Sequence, residues 1–278
     1  MIDQASLTEW RNVAPWVSQN YVEQDLIISR ALVNIFNHPV LADKLVFRGG
    51  TALQKLFYKD NPTRYSEDID MVQIEAGPIG PIFDGLKEVL EPWLGKPKKK
   101  IGEGRATLIY KYQSSVLGGV VMKLKVEINT REHFSVFNVV KIPFMVNSPW
   151  FTGQANIITY SLEELLGSKF RALYQRKKGR DLYDLAIAIR KLPIDLDKLI
   201  ICYHKYMEYL ETKVSRAEFE KNLLQKKTLS SFAEDIIPLL AVGNDQHNFE
   251  EDCKLVMEQL ISRLPGEPWK GEIMPGAG

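Results

Sequence analysis

Two runs of residues decide the fold: Phe47-Arg48-Gly49-Gly50-Thr51-Ala52-Leu53, and shortly after it Arg64-Tyr65-Ser66-Glu67-Asp68-Ile69-Asp70. Lys44 to Phe47 reads as a short strand that ends on the glycine pair, and Thr51 to Phe57 has good helix-forming composition. Asn61-Pro62 breaks that helix. Ser66 to Ile74 then alternates as a second strand, with Ile69 and Met71 on one face and Asp68 and Asp70 on the other. Backbone N–H groups freed at a glycine turn that opens a helix can cradle phosphate oxygens. Carboxylates at i and i+2 of a strand lie on one side with Cα atoms roughly 6.5–7 Å apart, a spacing that can share one hard cation or hold two. Alone, an Asp-x-Asp is more often ordinary solvated surface. The order of turn, helix and acid-bearing strand would place nucleotide phosphates beside Mg²⁺.

Outward from this unit, Ser18 to Phe36 carries a helical stripe through Val22, Leu26, Ile27, Leu32 and Phe36. Pro78 to Pro81 reads as a loop, Ile82 to Leu94 as a helix, and the Gly- and Lys-rich stretch to Gly104 as a connection. Ala106 to Tyr112 and Val120 to Asn129 follow as strands joined at Gly118-Gly119. In the second, Met122, Leu124, Val126 and Ile128 alternate with Lys123, Lys125, Glu127 and Asn129, the pattern of a sheet covered on one face. Glu127 is therefore a third carboxylate on a polar face. It can act as a metal ligand or general base, or simply pair with Lys125 or Lys123.

Helices take over after Tyr160. Ser161 with Glu164 forms a capping-box pattern, and the helix is expected to run to about Lys178 and stop at Gly179. A second runs from Arg180 to Lys191, the pattern stays helical from Leu196, and the last ten residues are expected to fray. The expected organisation is an α+β core over residues 1–156 and a helical lobe over 157–278. Lys169 replaces an apolar residue in the stripe of Leu162, Leu166 and Leu173, either snorkelling or serving a site. Asp181 and Asp184 share a helix face by their i, i+3 spacing, and an antiparallel helix pair would return Asp184 to Lys169. By itself Asp181 reads as an acid compensating a helix N-terminus.

The 278 residues are 45% hydrophobic and 10% aromatic, enough for a substantial core. The net charge of +1 excludes a uniformly basic nucleic-acid coat and an acidic tail. That sum conceals a separation: Lys96 to Lys125 carries +7, Lys169 to Lys191 carries +6, and the remainder −12. Such windows suit a phosphate-rich partner through counterion release; the short run Lys98-Lys99-Lys100 could equally be a solvated turn. Cys202 and Cys253 show neither a disulfide framework nor zinc spacing. With no signal peptide or membrane-length apolar run visible, the expected compartment is the cytoplasm.

Together the motifs resemble the AbiEii/AbiGii nucleotidyltransferase toxins of type IV abortive-infection toxin–antitoxin systems, within the polymerase-β-like superfamily. The first block is similar to the family's Gly-Gly-Thr-x-Leu and Arg-x-Ser-x-Asp-x-Asp signature. The second, Lys169 with Ala172-Leu173, Arg176 and Arg180-Asp181-x-x-Asp184, is similar to its Lys-x-x-Ala-Leu and Arg-Asp-x-x-Asp motif. The match spans Val22 to Lys191; at the position of Glu127 the superfamily more often has Asp. The resemblance implies a polymerase-β-like core with a mixed sheet, followed by a helical lobe that contributes Lys169 and Asp184 to the cleft. Gly49, Gly50, Thr51, Arg64, Ser66 and Lys169 would bind the phosphates of an NTP, and Asp68 and Asp70 one or two Mg²⁺ ions. Asp70, Lys169, Asp184 and Glu127 would be catalytic, with Asp184 placing Lys169 or the acceptor. The implied reaction is attack of an acceptor hydroxyl on the α-phosphate with loss of pyrophosphate. Its implied acceptor is RNA, the tRNA 3′ end, held by Lys98, Lys99, Lys100, Arg176, Lys177, Lys178 and Arg180, with growth arrest the result. A winged-helix antitoxin is the implied partner, and the chain is expected to be a monomer. Two alternatives stand beside this: nucleotidyl transfer to a protein or small molecule, and a non-catalytic nucleotide- or RNA-binding module.

Overall fold

The glycine pair does separate a strand from a helix. In the computed structural model, which describes residues 2–243 and 247–271, β1 (Leu45–Arg48) runs into α4 (Gly49–Ala52), which widens into a π-helical turn over Leu53–Phe57. Ahead of it lie α1 (Gln4–Trp10), α2 (Gln19–Phe36) and α3 (Pro39–Lys44); β2 (Ile69–Gln73) and α5 (Gly80–Leu94) follow. The strands β3 (Lys98–Gly102), β4 (Arg105–Gln113), β5 (Val121–Asn129), β6 (Val140–Ser148) and β7 (Phe151–Thr159) complete one seven-stranded sheet in the order β3-β4-β5-β2-β1-β7-β6. The sheet is mixed: β2 and β5 are parallel, as are β1 and β7, and the other neighbours are antiparallel. The α+β expectation holds.

Several local expectations are corrected. The Lys-rich connection is the edge strand β3, whose residues are all exposed and therefore lack any apolar alternation to read. Lysines on an edge discourage pairing with another chain. The hairpin of β6 and β7 carries little sequence signal because β6 is also an edge strand, mostly exposed and interrupted by Pro143. The loop expected at Pro78 to Pro81 ends early, since Pro81 sits in the first turn of α5, where a missing N–H costs nothing. Asp68 precedes β2 instead of lying within it.

The chain divides into two units, Met1–Ser161 with Leu239–Gly243, and Leu162–Pro238 with Asn244–Gly278. The sheet reaches Thr159, which carries the division past residue 156. Residues 239–243 leave the helical part: Ala241 bridges Trp16, Leu240 bridges Arg64, and the Tyr65 N–H donates to the Leu239 carbonyl at 2.7 Å. The second unit holds α6 (Leu162–Gln175), α7 (Gly179–Lys191), α8 (Leu196–Tyr209), α9 (Arg216–Lys227), α10 (Ser230–Ala233) and α11 (Phe249–Gln259). Its core stacks Phe170 on Phe219 at 4.6 Å and sets it at a tilt against Tyr203 at 4.7 Å. Gly179 opens α7 instead of stopping α6, which ends at Gln175; a Cβ on it would meet the Phe232 carbonyl at 2.0 Å. Lys226 donates to the Leu173 and Tyr174 carbonyls near the end of α6, and burial pulls its ammonium down to about 8. Cys202 and Cys253 are buried free thiols pushed up to about 12, chiefly by burial. The C-terminal stretch expected to fray lies mostly outside the described residues. No helix among the described residues is long and apolar enough to cross a membrane.

Candidate active site

In the first unit, sheet register assembles the acidic residues. Ile69 and Met71 of β2 and Leu124, Val126 and Ile128 of β5 are buried, on the face packed by α2 and α5. The period-two alternation turns Asp70 and Glu127 to the opposite, open face, where parallel pairing makes them direct neighbours. Arg48 stands beside Asp70 on β1. Gly49 has φ +81°, and a Cβ there would lie 2.5 Å from Asp70 Oδ2; a Cβ on Gly50 would lie 2.4 Å from Arg64 Nη2. Glycine is thus required twice, by the backbone angle and by the close approach of Asp70 and Arg64. The Thr51 hydroxyl donates to the Asp68 carbonyl at 2.5 Å and meets the Ser66 hydroxyl at 2.9 Å, tying the turn to the approach of β2.

The carboxylates here are electrostatically strained. Burial raises Asp70 above the usual carboxylate range, Arg48 opposes this, and the charges of Asp68 and Glu127 reinforce it. Burial likewise raises Asp68, with Lys125 opposing and Glu67 and Glu127 adding. Arg48 is itself committed to Glu132 at 2.6 Å. Among the described residues no three acidic, histidine or cysteine side chains converge on one point. Instead the Lys125 ammonium sits between two of the carboxylates, 3.2 Å from Asp68 Oδ2 and 2.8 Å from Glu127 Oε2. Burial would lower Lys125, and its bond to Glu127 with the charge of Asp68 outweighs that, so it is raised. Pairing of Glu127 with Lys125, one of the roles open to it in the sequence, is therefore what its geometry shows.

Arg64 is fully buried and donates to the Tyr65 carbonyl at 2.8 Å, so it braces the glycine turn from inside the unit. Behind the turn, sequence reasoning missed a polar anchor. Buried Asp25 accepts from the indoles of Trp10 at 2.9 Å and Trp16 at 3.0 Å, and Lys55 of the π-helical turn reaches it at 2.5 Å. A cavity of about 720 Å³ adjoins this anchor, bordered by Thr51, Lys55, Ser66, Trp10 and Trp16 and by none of the three carboxylates. The i, i+30 spacing of Asp25 and Lys55 carries no periodic signal that could have revealed the pair.

The second motif forms its own cluster within the helical unit. Lys169 is only 6% exposed, which rules out snorkelling, and its ammonium lies 3.2 Å from Asp181 and 2.9 Å from Asp184, both fully buried. Arg176 holds Asp181 with two bonds, 2.5 Å from Nε and 2.8 Å from Nη2. Burial would raise Asp181, and the positive charges of Lys169 and Arg176 hold it below the usual range. Asp181 does lie in the first turn of α7, as read, and is in addition a buried ion-pair partner.

The cations expected to hold RNA divide sharply. Lys178 and Arg180 both pair with Asp235, at 3.3 and 3.5 Å, and Arg176 is committed to Asp181. Lys177 is exposed. Register separates the lysine run of β3: Lys98 and Lys100 pair with Ile109 and Thr107, whose partners on β5 are Lys125 and Glu127, so both lie on the open face. Lys99 projects to the other side, over the Phe83 ring, and the neighbouring Lys87 lowers its ammonium. Lys111 and Lys123, directly paired, join Lys98 and Lys100 on the open face, and Arg105 lies there too, 3.6 Å from Glu127.

A mixed sheet with a glycine turn beside an acidic face is the arrangement expected of a nucleotidyltransferase, and a family model bears that class out. The model of the family described as nucleotidyl transferase AbiEii toxin of a type IV toxin–antitoxin system matches residues 30–252. The chain belongs to that family. In fold it is similar to MenT4, a nucleotidyltransferase toxin from Mycobacterium tuberculosis H37Rv, with a TM-score of 0.67 at 17% identity over 95% of this chain and 91% of that one. It is also similar to JHP933 from Helicobacter pylori, with a TM-score of 0.57 at 18% identity over 87% of this chain and 90% of that one. None of the curated proteins matches it in sequence.

Proposed function

We propose that this nucleotidyltransferase transfers a nucleoside monophosphate from an NTP to an RNA acceptor, the tRNA 3′ end, in a Mg²⁺-dependent reaction. It would act in the cytoplasm and arrest growth until its antitoxin partner neutralises it. The observation that carries the RNA acceptor is the file of cations on the open face. Lys98, Lys100, Lys111 and Lys123 are exposed, none is held in an ion pair among the described residues, and register puts them on the same face as Asp70 and Glu127. Strand geometry spaces such side chains about 5–7 Å apart, a pitch suited to successive phosphates. Aromatic residues are absent from the residues that β3, β4 and β5 turn to this face, so recognition would follow the backbone and not the bases.

The donor set fits a divalent cation: hard carboxylate oxygens, a positively charged group already between two of them, and a glycine cradle that a Cβ would fill. Asp68 and Asp70 would hold the metal, which when bound screens phosphate charge and promotes attack by the acceptor hydroxyl. Gly49, Gly50 and Thr51 would receive the phosphates at the opening of α4, with Ser66 beside them and Arg64 bracing the turn. The charge of Glu127 keeps the neighbouring aspartates receptive to a cation. Catalytic roles for Lys169 and Asp184 belong to the same proposal and rest on the family's second motif.

Incubation with tRNA and each labelled NTP tests this. Label should enter RNA for the wild type and not for Asp70→Asn; label on protein alone would replace the RNA acceptor with the alternative one. Changing Lys98, Lys100 and Lys111 together to Gln should weaken RNA binding and reduce the slope of log affinity against log salt by about 2–3. An unchanged slope would remove the open face from RNA binding.

A further inference from the structure

We propose that Lys125 is a built-in counter-cation of the metal site, which holds Asp68 and Glu127 while no divalent ion is bound, must leave them when one binds, and so sets the site's affinity for divalent cations. The inference rests on the metal-dependent reading above and adds to it a residue with a defined role.

Three carboxylates share the open face, and each needs compensation. Arg48 is engaged by Glu132, and Arg105 is 3.6 Å from Glu127 with a side chain 64% exposed. Among the described residues Lys125 alone reaches two of the carboxylates, spanning from β5 to the approach of β2. The Lys125 ammonium brings one positive charge to the two carboxylates it contacts, whereas a divalent ion on the same oxygens brings two. The site therefore favours exchange. Lys125 is able to leave: its side chain is 36% exposed, its stem is flexible, and its own strand opens onto a polar face. Contrast Lys169, 7% exposed in its side chain and enclosed by two fully buried aspartates, which has no such exit. Once displaced, Lys125 stays tethered to the face that carries the carboxylates, where its three donors are free for phosphate oxygens.

Binding of Mn²⁺ to the full chain without nucleotide, followed by electron paramagnetic resonance or calorimetry, tests the exchange. Lys125→Met should bind Mn²⁺ about tenfold more tightly, because no charge-assisted bonds to lysine have to be broken. In EDTA the same variant should melt below the wild type, and saturating Mg²⁺ should close the gap. A second measurement needs no variant: acylation of the Lys125 amine, read by mass spectrometry, should rise several-fold when Mg²⁺ is added. Unchanged or weaker Mn²⁺ binding by folded Lys125→Met overturns the inference, as does Lys125 acylation that Mg²⁺ leaves unaltered. The acylation result decides if the variant does not fold. If the wild type binds Mn²⁺, Asp70→Asn does not, and Lys125→Met equals the wild type, the inference alone fails. If the wild type binds no Mn²⁺, the metal-dependent reaction fails with it.

Discussion

The two acidic clusters contain the same residue types and reach opposite electrostatic outcomes. In the sheet unit, Asp68 and Asp70 are raised, with burial and mutual repulsion exceeding the help of Lys125 and Arg48. In the helical unit Asp181 is fully buried, yet Lys169 and Arg176 hold it below its usual range. The difference is geometry: Lys169 and a bidentate Arg176 both close on buried Asp181, whereas Asp68 meets a part-exposed Lys125 that it shares with Glu127. A cluster already neutralised stabilises the positions of its own side chains, Lys169 and Asp184 among them. A cluster left short of positive charge is set up to receive it, at a cost in stability of the kind functional sites commonly carry.

The comparison breaks most easily on activity. Asp70→Asn should lower transfer by roughly 10²–10³-fold or more while raising or preserving the melting temperature in EDTA, since a repelling charge is removed. A large fall in Tm would show that Asp70 is structural. Asp181→Asn should do the reverse to stability, costing about 3 kcal/mol because Lys169 and Arg176 lose a buried partner. That corresponds to a Tm drop of roughly 6–12 °C by calorimetry, and a drop near zero would erase the distinction between the clusters.

Gly49→Ala should impair both fold and transfer by a smaller amount, about 1–2 kcal/mol in chemical denaturation, through its positive φ and the contact with Asp70. If it proves neutral, Asp70 has room to move and the tight cradle is wrong. The smallest effect is in pH. Raised folded values make the Asp68 and Asp70 contribution fully present below the unfolded value of 3.8 and lost as pH rises through the raised values. The Asp181 contribution is present above 3.8 and lost as pH falls through its lowered value. The Tm advantage of Asp70→Asn in EDTA should therefore shrink on acidification from neutrality. The deficit of Asp181→Asn should persist to about pH 4 and shrink only below it. Parallel pH profiles for the two variants would contradict the assignment.

Much of this was legible because it is local. The strand, glycine pair and helix at Phe47 to Phe57 follow from backbone preferences within ten residues, and the alternation in β5 from a covered face. The return of Asp184 to Lys169 also followed, since an i, i+3 pair on a helix after a tight turn has few places to go. What escaped was edge structure and long-range pairing. β3 and β6 lie at the sheet's margins, where burial imposes no alternation, and the anchor of Asp25 on Lys55 depends on how α2 meets the turn after α4.

By itself the sequence determined the α+β class, the acid pair behind a glycine turn, and the second Lys and Asp motif, because composition and short-range periodicity encode them. Only the tertiary structure decided which charges remain unbalanced. Register places Lys98 and Lys100 with the carboxylates and Lys99 away from them, and packing gives Asp181 both Lys169 and Arg176 while Asp68 has Lys125 and shares it with Glu127. Charge compensation acts across strands and helices through distance and desolvation, and neither quantity is written in the order of residues.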